Sequence, residues 1–183
     1  LVGLTGVDGW HSRPVVINVK GSKIGFLGYA DADSYGHAPL YALNRQSEVL
    51  DDVARLRDRV NTVVVSLHWG DEFVRAPSPE RRDYAHSLIE AGTDIVLGHH
   101  PHVVQNVEQY QSGWICYSLG NFISDMIWNP RTREGLSTRF DLSSNGIALT
   151  GIEQVFIRDD LTPIGIPASL EHVAAHVKED EAS

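Results

Sequence analysis

The stretch from Thr62 to Leu97 limits what this chain can fold into more than any other. It holds two short, continuous apolar runs, "TVVVSL" at residues 62 to 67 and "DIVL" at 94 to 97. Neither run alternates polar with apolar residues, so each reads as a strand covered on both faces. Between them lies a segment punctuated as a helix: Ser78 as cap, Pro79 at the first helical position, Leu88 and Ile89 on the buried side and Gly92 as terminator. Two such strands joined through a helix make a βαβ crossover, whose strands are parallel. A helix from Ser47 to Val60, with Ser47 as cap and Val49, Leu50, Val53, Leu56 and Val60 in helical spacing, precedes the first run. "WICYSL", residues 114 to 119, adds a third strand of the same kind.

Antiparallel elements flank this centre. "PVVINVK" (14 to 20) and "KIGFLGY" (23 to 29) surround Gly21-Ser22 as a hairpin whose first strand has one wet face. The polar stretch "ADADSYGHAPLYALNR" that follows reads as a long loop. "LSTRFDLSS" and "GIALTGIEQVFIRD" pair around Ser144-Asn145-Gly146, and a short helix runs into an acidic tail at the C-terminus. At 183 residues and 42% hydrophobic composition, with no repeat or low-complexity linker, one core and a single domain over residues 1–183 are expected.

Composition narrows the chemistry. A formal charge of -9 argues against a nucleic-acid groove, and no window approaches the ~18 apolar residues of a membrane helix. The single cysteine, Cys116, rules out an internal disulfide or a Cys-rich zinc cluster and reads as a small buried hydrophobe. Any metal here takes His and carboxylate ligands. The chain opens "LVGLTG", without an initiator Met or signal-peptide features, and is expected to be a processed product or a piece of a longer protein.

Every candidate for chemistry sits just after a central strand. "VVVSL" runs into "HWGDE", "DIVL" into "GHHPH" and "ICYSL" into "GNF". The carboxyl ends of parallel strands border the ligand crevice of an open sheet, so His68, Glu72, His99, His100, His102 and Asn121 are expected to converge there. Neutral imidazole is the commonest ligand for borderline divalent metals such as Mn, Fe or Zn. "GHHPH" offers two ligand pairs, His100 with His102 or His99 with His102; Pro101 stiffens the backbone between them, and His68 adds a further ligand. Glu72 is the candidate proton carrier and Asn121 the candidate orienting group, while Asp71 reads as a solvated carboxylate and Trp69 as a packing residue or crevice wall. His11, His37, His86, His172 and His176 stand in polar loops or on helices without a completed site and are set aside. There is no nucleophile elbow, phosphate-binding loop or dinucleotide fingerprint.

"VVVSLHWGDEF", "AGTDIVLGHHPHVVQ" and "YSLGNFI", with the hairpin "RPVVINVKGSKIGFLGYAD" ahead of them, resemble in order and spacing the signature segments of CapA-type poly-γ-glutamate capsule biosynthesis proteins. That family is similar to the calcineurin-like metallophosphoesterases, and the resemblance covers roughly residues 1 to 165. It implies a mixed α/β two-sheet sandwich flanked by helices, incomplete at its N-terminus here, with a two-metal centre at the strand ends. His68 matches the family's lone strand-end histidine, and His100 and His102 match its Gly-His-x-His pair, with His99 a further ligand or phosphate contact. The family's Asp-x-His, Gly-Asp and Gly-Asn-His elements do not occur: "DGWH" at 8 to 11 has the wrong spacing, and Gly120-Asn121 lacks the following histidine. The carboxylate that would bridge two metals is therefore missing from these residues.

The resemblance implies a metal-dependent hydrolase acting on a phosphoester or anionic polymer substrate, extracytoplasmic or membrane-associated and associated with capsule-synthesis machinery. A non-catalytic component of a polymer synthesis or export assembly is the competing reading, and a carbohydrate- or peptide-binding domain is a third.

Overall fold

The computed structural model describes residues 1–31, 40–171 and 173. His37, His172, His176, the acidic tail, most of the expected C-terminal helix and half of the long polar loop lie outside them. Among the described residues the strands and α-helices follow one another as β1 (Val15–Val19), β2 (Ser22–Ala30), α1 (Gln46–Arg57), β3 (Thr62–His68), α2 (Pro79–Glu90), β4 (Ile95–His99), β5 (Val107–Tyr110), β6 (Gly113–Cys116), β7 (Glu134–Ser143), β8 (Gly146–Ile157) and β9 (Pro163–Ala168), with a 3-10 turn at Pro130–Arg133 before β7.

The first sheet runs β1-β2-β3-β4-β6-β5. Its four central strands are parallel, in the register Val64↔Ile95↔Trp114, and β1 and β5 close its edges antiparallel. The continuous apolar runs are thus the covered strands that their composition requires. One sheet face, carrying Leu27, Val63, Val65, Leu67, Val96, Ile115 and Tyr117, packs against Val49, Val53 and Leu56 of α1 and Tyr84, Ala85, Leu88 and Ile89 of α2. Residues one step away on each strand face the other side, where the antiparallel sheet β7-β8-β9 lies. There the Trp114 ring meets Phe140 at 6.3 Å, and its indole N–H donates to the Ile147 carbonyl at 3.2 Å. Between the sheets a cleft of about 520 Å³ remains, lined by Phe26, Val64 and Leu97 on one side and Leu136 and Phe140 on the other. The mixed two-sheet sandwich with helices outside is the expected architecture. Among the described residues no helix is long and apolar enough to cross a membrane.

Several local expectations shift. The first hairpin turns at Lys20-Gly21, one residue earlier than expected, because Val19 pairs with Ser22. Both turn residues take positive φ (52° and 87°), the geometry of a tight hairpin whose twist matches its strands. The expected wet face of β1 is broader than alternation implies: Val16, Ile17 and Val19 are all exposed on this edge strand. Helix α1 begins at Gln46, and Arg45 stands at the cap position with no side-chain bond, so Ser47 is not the cap. For α2 the cap is as expected, with Ser78 accepting from the Arg81 N–H at 3.3 Å. β5 and β9 are not expected from the sequence pattern.

One buried charge ties the N-terminal stretch to this frame. Asp52 on α1 is fully buried. Its carboxylate accepts the backbone N–H of His11 at 3.0 Å and of Ser12 at 2.7 Å, and the Tyr29 hydroxyl at 2.8 Å. Burial and then the Asp52 charge push the Tyr29 pKa far up, which keeps that hydroxyl a donor. Cys116 is fully buried, its thiol pushed up to about 12 by burial, in keeping with a packing role.

Candidate metal centre

The carboxyl ends of β3 and β4 lie side by side, with His68 and His99 as register partners. Gly98 permits this approach. A Cβ there would stand 1.8 Å from the Tyr117 carbonyl oxygen and 2.6 Å from Trp69 Nε1. Without one, the buried Trp69 indole N–H reaches the Tyr117 carbonyl at 3.0 Å, and the Trp69 backbone N–H donates to the His99 carbonyl at 3.0 Å. Trp69 is therefore a packing residue that locks the strand ends together.

Beyond β4 the chain folds sharply: His100 and His102 both take positive φ, 100° and 59°. Non-glycine residues rarely adopt this conformation, which costs of order 1–3 kcal/mol per residue and persists where the surroundings enforce it. Two bonds provide such enforcement. The Phe73 N–H donates to the Pro101 carbonyl at 2.8 Å, and the buried Gln105 side chain donates to the Val74 carbonyl at 2.7 Å. The loop after β3 and the loop after β4 are thereby fastened to each other.

The result is a compact donor group. Ligand atoms of Glu72, His100 and His102 all lie within 4.8 Å of one another, and the His68 ring meets the His100 ring at 4.6 Å between centroids. Glu72, expected from the sequence to be a proton carrier, places its carboxylate within 4.8 Å of the His100 and His102 nitrogens, where it could equally serve as a ligand. His99 is placed differently: it lines the cleft between the sheets beside Leu119 and Phe122.

Asn121 connects this group to the third strand end. Its amide donates to the Thr132 carbonyl at 2.8 Å, so its oxygen faces His102 Nδ1 at 2.9 Å as an acceptor. His102 Nδ1 then carries the hydrogen, and its Nε2 keeps a lone pair for a ligand. Fixing a tautomer through the far ring nitrogen is how proteins orient metal-binding histidines. Two neutral imidazoles and a carboxylate suit a borderline divalent cation.

A cavity of about 510 Å³ opens beside His68 and His100, lined also by Gly28, Ala30, Asp31 and Tyr41. Asp31, not singled out by sequence, follows directly on β2, whose last residue Ala30 pairs with His68. Its carboxylate binds Arg81 at 2.5 Å and accepts the Gly70 N–H at 3.2 Å. The signal for it was present: it too follows a central strand. Phe73, whose ring stands 6.3 Å from that of His102, and Trp128, which packs against Phe73, carry no sequence signal, because their proximity is made by the fold. Of the histidines set aside, His11 and His86 are both engaged. His11 Nε2 lies 3.7 Å from Asp51, and His86 bonds Glu108 at 2.9 Å while stacking on Tyr110 at 3.8 Å.

Partial burial, reinforced by the rings of His100, His99 and His102, lowers the pKa of His68; burial alone lowers that of His99. Both stay neutral in the fold at pH values where the unfolded chain begins to protonate them, near 6.5. The unfolded state then binds more protons, so stability is unaffected above that pH and declines as pH falls below it. In urea titrations between pH 7.5 and 5.5, a range set around the ordinary histidine pKa of ~6.5, the midpoint should fall less steeply for His99→Gln than for the parent chain. Parallel slopes would exclude this histidine as the cause.

Comparisons with known proteins agree with this architecture. Residues 1–126 match the family described as "Bacterial capsule synthesis protein PGA_cap". The capsule biosynthesis protein CapA of Bacillus anthracis is 34% identical over 151 residues, covering 78% of this chain and 36% of that protein. The PGA biosynthesis protein CapA of Bacillus subtilis is 35% identical over 167 residues, covering 88% of this chain and 40% of that protein. The chain thus spans well under half the length of these relatives. Among solved structures, a Staphylococcus aureus protein described as a candidate 5'-nucleotidase, in complex with alpha-ketoglutarate, superposes with a TM-score of 0.53 at 15% identity. That match covers 91% of this chain and 33% of the other, and the likeness is one of fold.

Proposed function

Because the chain belongs to the bacterial capsule synthesis protein PGA_cap family, we propose that it serves poly-γ-glutamate capsule biosynthesis as a metal-dependent hydrolase, with Glu72, His100 and His102 as its reacting centre. The observation that carries this reading is the convergence of their three ligand atoms within 4.8 Å on two mutually fastened loops. His100, His102 and Glu72 would hold a divalent cation, with His68 alongside. A cation held there would supply Lewis acidity toward an ester oxygen. Asn121 keeps His102 in the tautomer that presents Nε2. The cavity walled by Gly28, Ala30 and Tyr41 admits the substrate beside His68 and His100.

Reconstitution with Mn, Fe and Zn, followed by elemental analysis and assay on an aryl phosphate, tests this. The expected outcome is retained metal together with hydrolysis that a chelator removes. A chain that keeps no metal above background would instead fit the non-catalytic assembly component.

A further inference from the structure

Trp128 is 66% exposed, unusual for a side chain whose burial contributes so strongly to packing. It is not isolated. Its ring meets Phe73 edge to face, with centroids 5.4 Å apart at 74°, and Phe73 in turn stands 6.3 Å from the His102 ring. Phe73 is itself 37% exposed and takes a positive φ of 66°, a strained conformation for a bulky residue. The bond from its N–H to Pro101 holds it there.

The Trp128 loop is braced as well. The buried Thr132 hydroxyl sits against the carbonyls of Met126 and Asn129, and the Thr132 carbonyl accepts from the Asn121 amide at 2.8 Å. One asparagine thus supports both His102 and the loop that carries Trp128. The two rings form an exposed corner at 74°, and Phe73 links it to His102 of the donor group.

We propose that Phe73 and Trp128 are a ring-binding subsite, which takes the flat apolar face of a ring in the substrate while the bond to be cleaved lies at His100 and His102. This rests on the reading of Glu72, His100 and His102 as the reacting centre. The size of the corner decides for a small ligand over a protein partner. Two aromatic side chains bury at most ~150–250 Å² each, and these are already partly covered, against about 800 Å² per partner in a stable protein interface. Stacking on an aromatic face suits two sources of such a ring, an aryl group and the C–H face of a hexose.

The four tryptophans give four indole N–H signals in a ¹⁵N-labelled chain, and Trp128→Ala identifies the one that matters. Phenyl phosphate, a hexose 1-phosphate and methyl phosphate are titrated in the presence of a chelator, so that loss of the metal reading and loss of this one are separate results. Phenyl phosphate, the hexose phosphate or both should shift the Trp128 signal and bind about tenfold tighter than methyl phosphate; which of them does so identifies the ring. Trp128→Ala should erase that preference, and Trp128→Phe should keep most of it. An unmoved Trp128 signal, or a preference that survives in Trp128→Ala, would overturn the proposal.

Discussion

Gly98→Ala is expected to destabilise the chain by roughly 3 to 5 kcal/mol, combining overpacking with the loss of a buried hydrogen bond. The added methyl would lie 1.8 Å from the Tyr117 carbonyl oxygen and 2.5 Å from its carbon, both main-chain atoms of the next stretch of the sheet. It would also lie 2.6 Å from Trp69 Nε1, so the indole bond to Tyr117 has to break. No flexible side-chain end is available to move aside. Typical domains have only about 5–15 kcal/mol of stability in total, so the loss is severe. Urea unfolding measures it, with Gly151→Ala as reference: that methyl would meet its nearest atom, Arg139 Cβ, at an ordinary 3.5 Å. Similar midpoints for the two variants would refute the packing argument.

The second large effect concerns binding. On the proposed reading, His102→Ala should lower divalent-metal affinity by about 100-fold or more, and any hydrolysis with it, because it would remove a ligand. Asn121→Leu should cost about tenfold, since loss of an outer-shell partner typically weakens a site 10–100-fold. In that variant the imidazole remains and nothing holds its tautomer. Calorimetric titration with Zn²⁺ measures both, and the unfolding midpoint shows whether either variant has lost its fold. If Asn121→Leu binds metal as tightly as the parent while His102→Ala does not, the tautomer argument fails and the ligand assignment stands.

The parallel centre was legible because its signals are local and dense. Val63 to Leu67 and Ile95 to Leu97 are apolar without alternation, and α2 carries both a capping serine and a terminating glycine. β5 and β9 were not legible for physical reasons. Val107–Tyr110 mixes Glu and Gln into four residues, and Pro163–Ala168 holds two prolines and a glycine, a composition that reads as loop and is tolerated only at a sheet edge. The hairpin slipped by one because Lys20 takes a positive φ that its residue type disfavours.

At the site the residue types were legible and their convergence only partly so. That His100 and His102 meet Glu72, while His99 lines the cleft, depends on two positive φ values in the histidine loop. The contact of Phe73 with Trp128 spans residues distant in sequence, which no local pattern encodes.

The bonds from Phe73 to Pro101 and from Gln105 to Val74 have an entropic consequence. Glu72 lies on one loop and the histidines on another, and two independent loops would each lose conformational freedom when a ligand drew them together, about 1–2 kcal/mol per ordered residue. Here that freedom is already lost when the chain folds, because the loops are joined ahead of any ligand. A cation bound there would have less left to order, so less of the donors' attraction would be spent on fixing the loops.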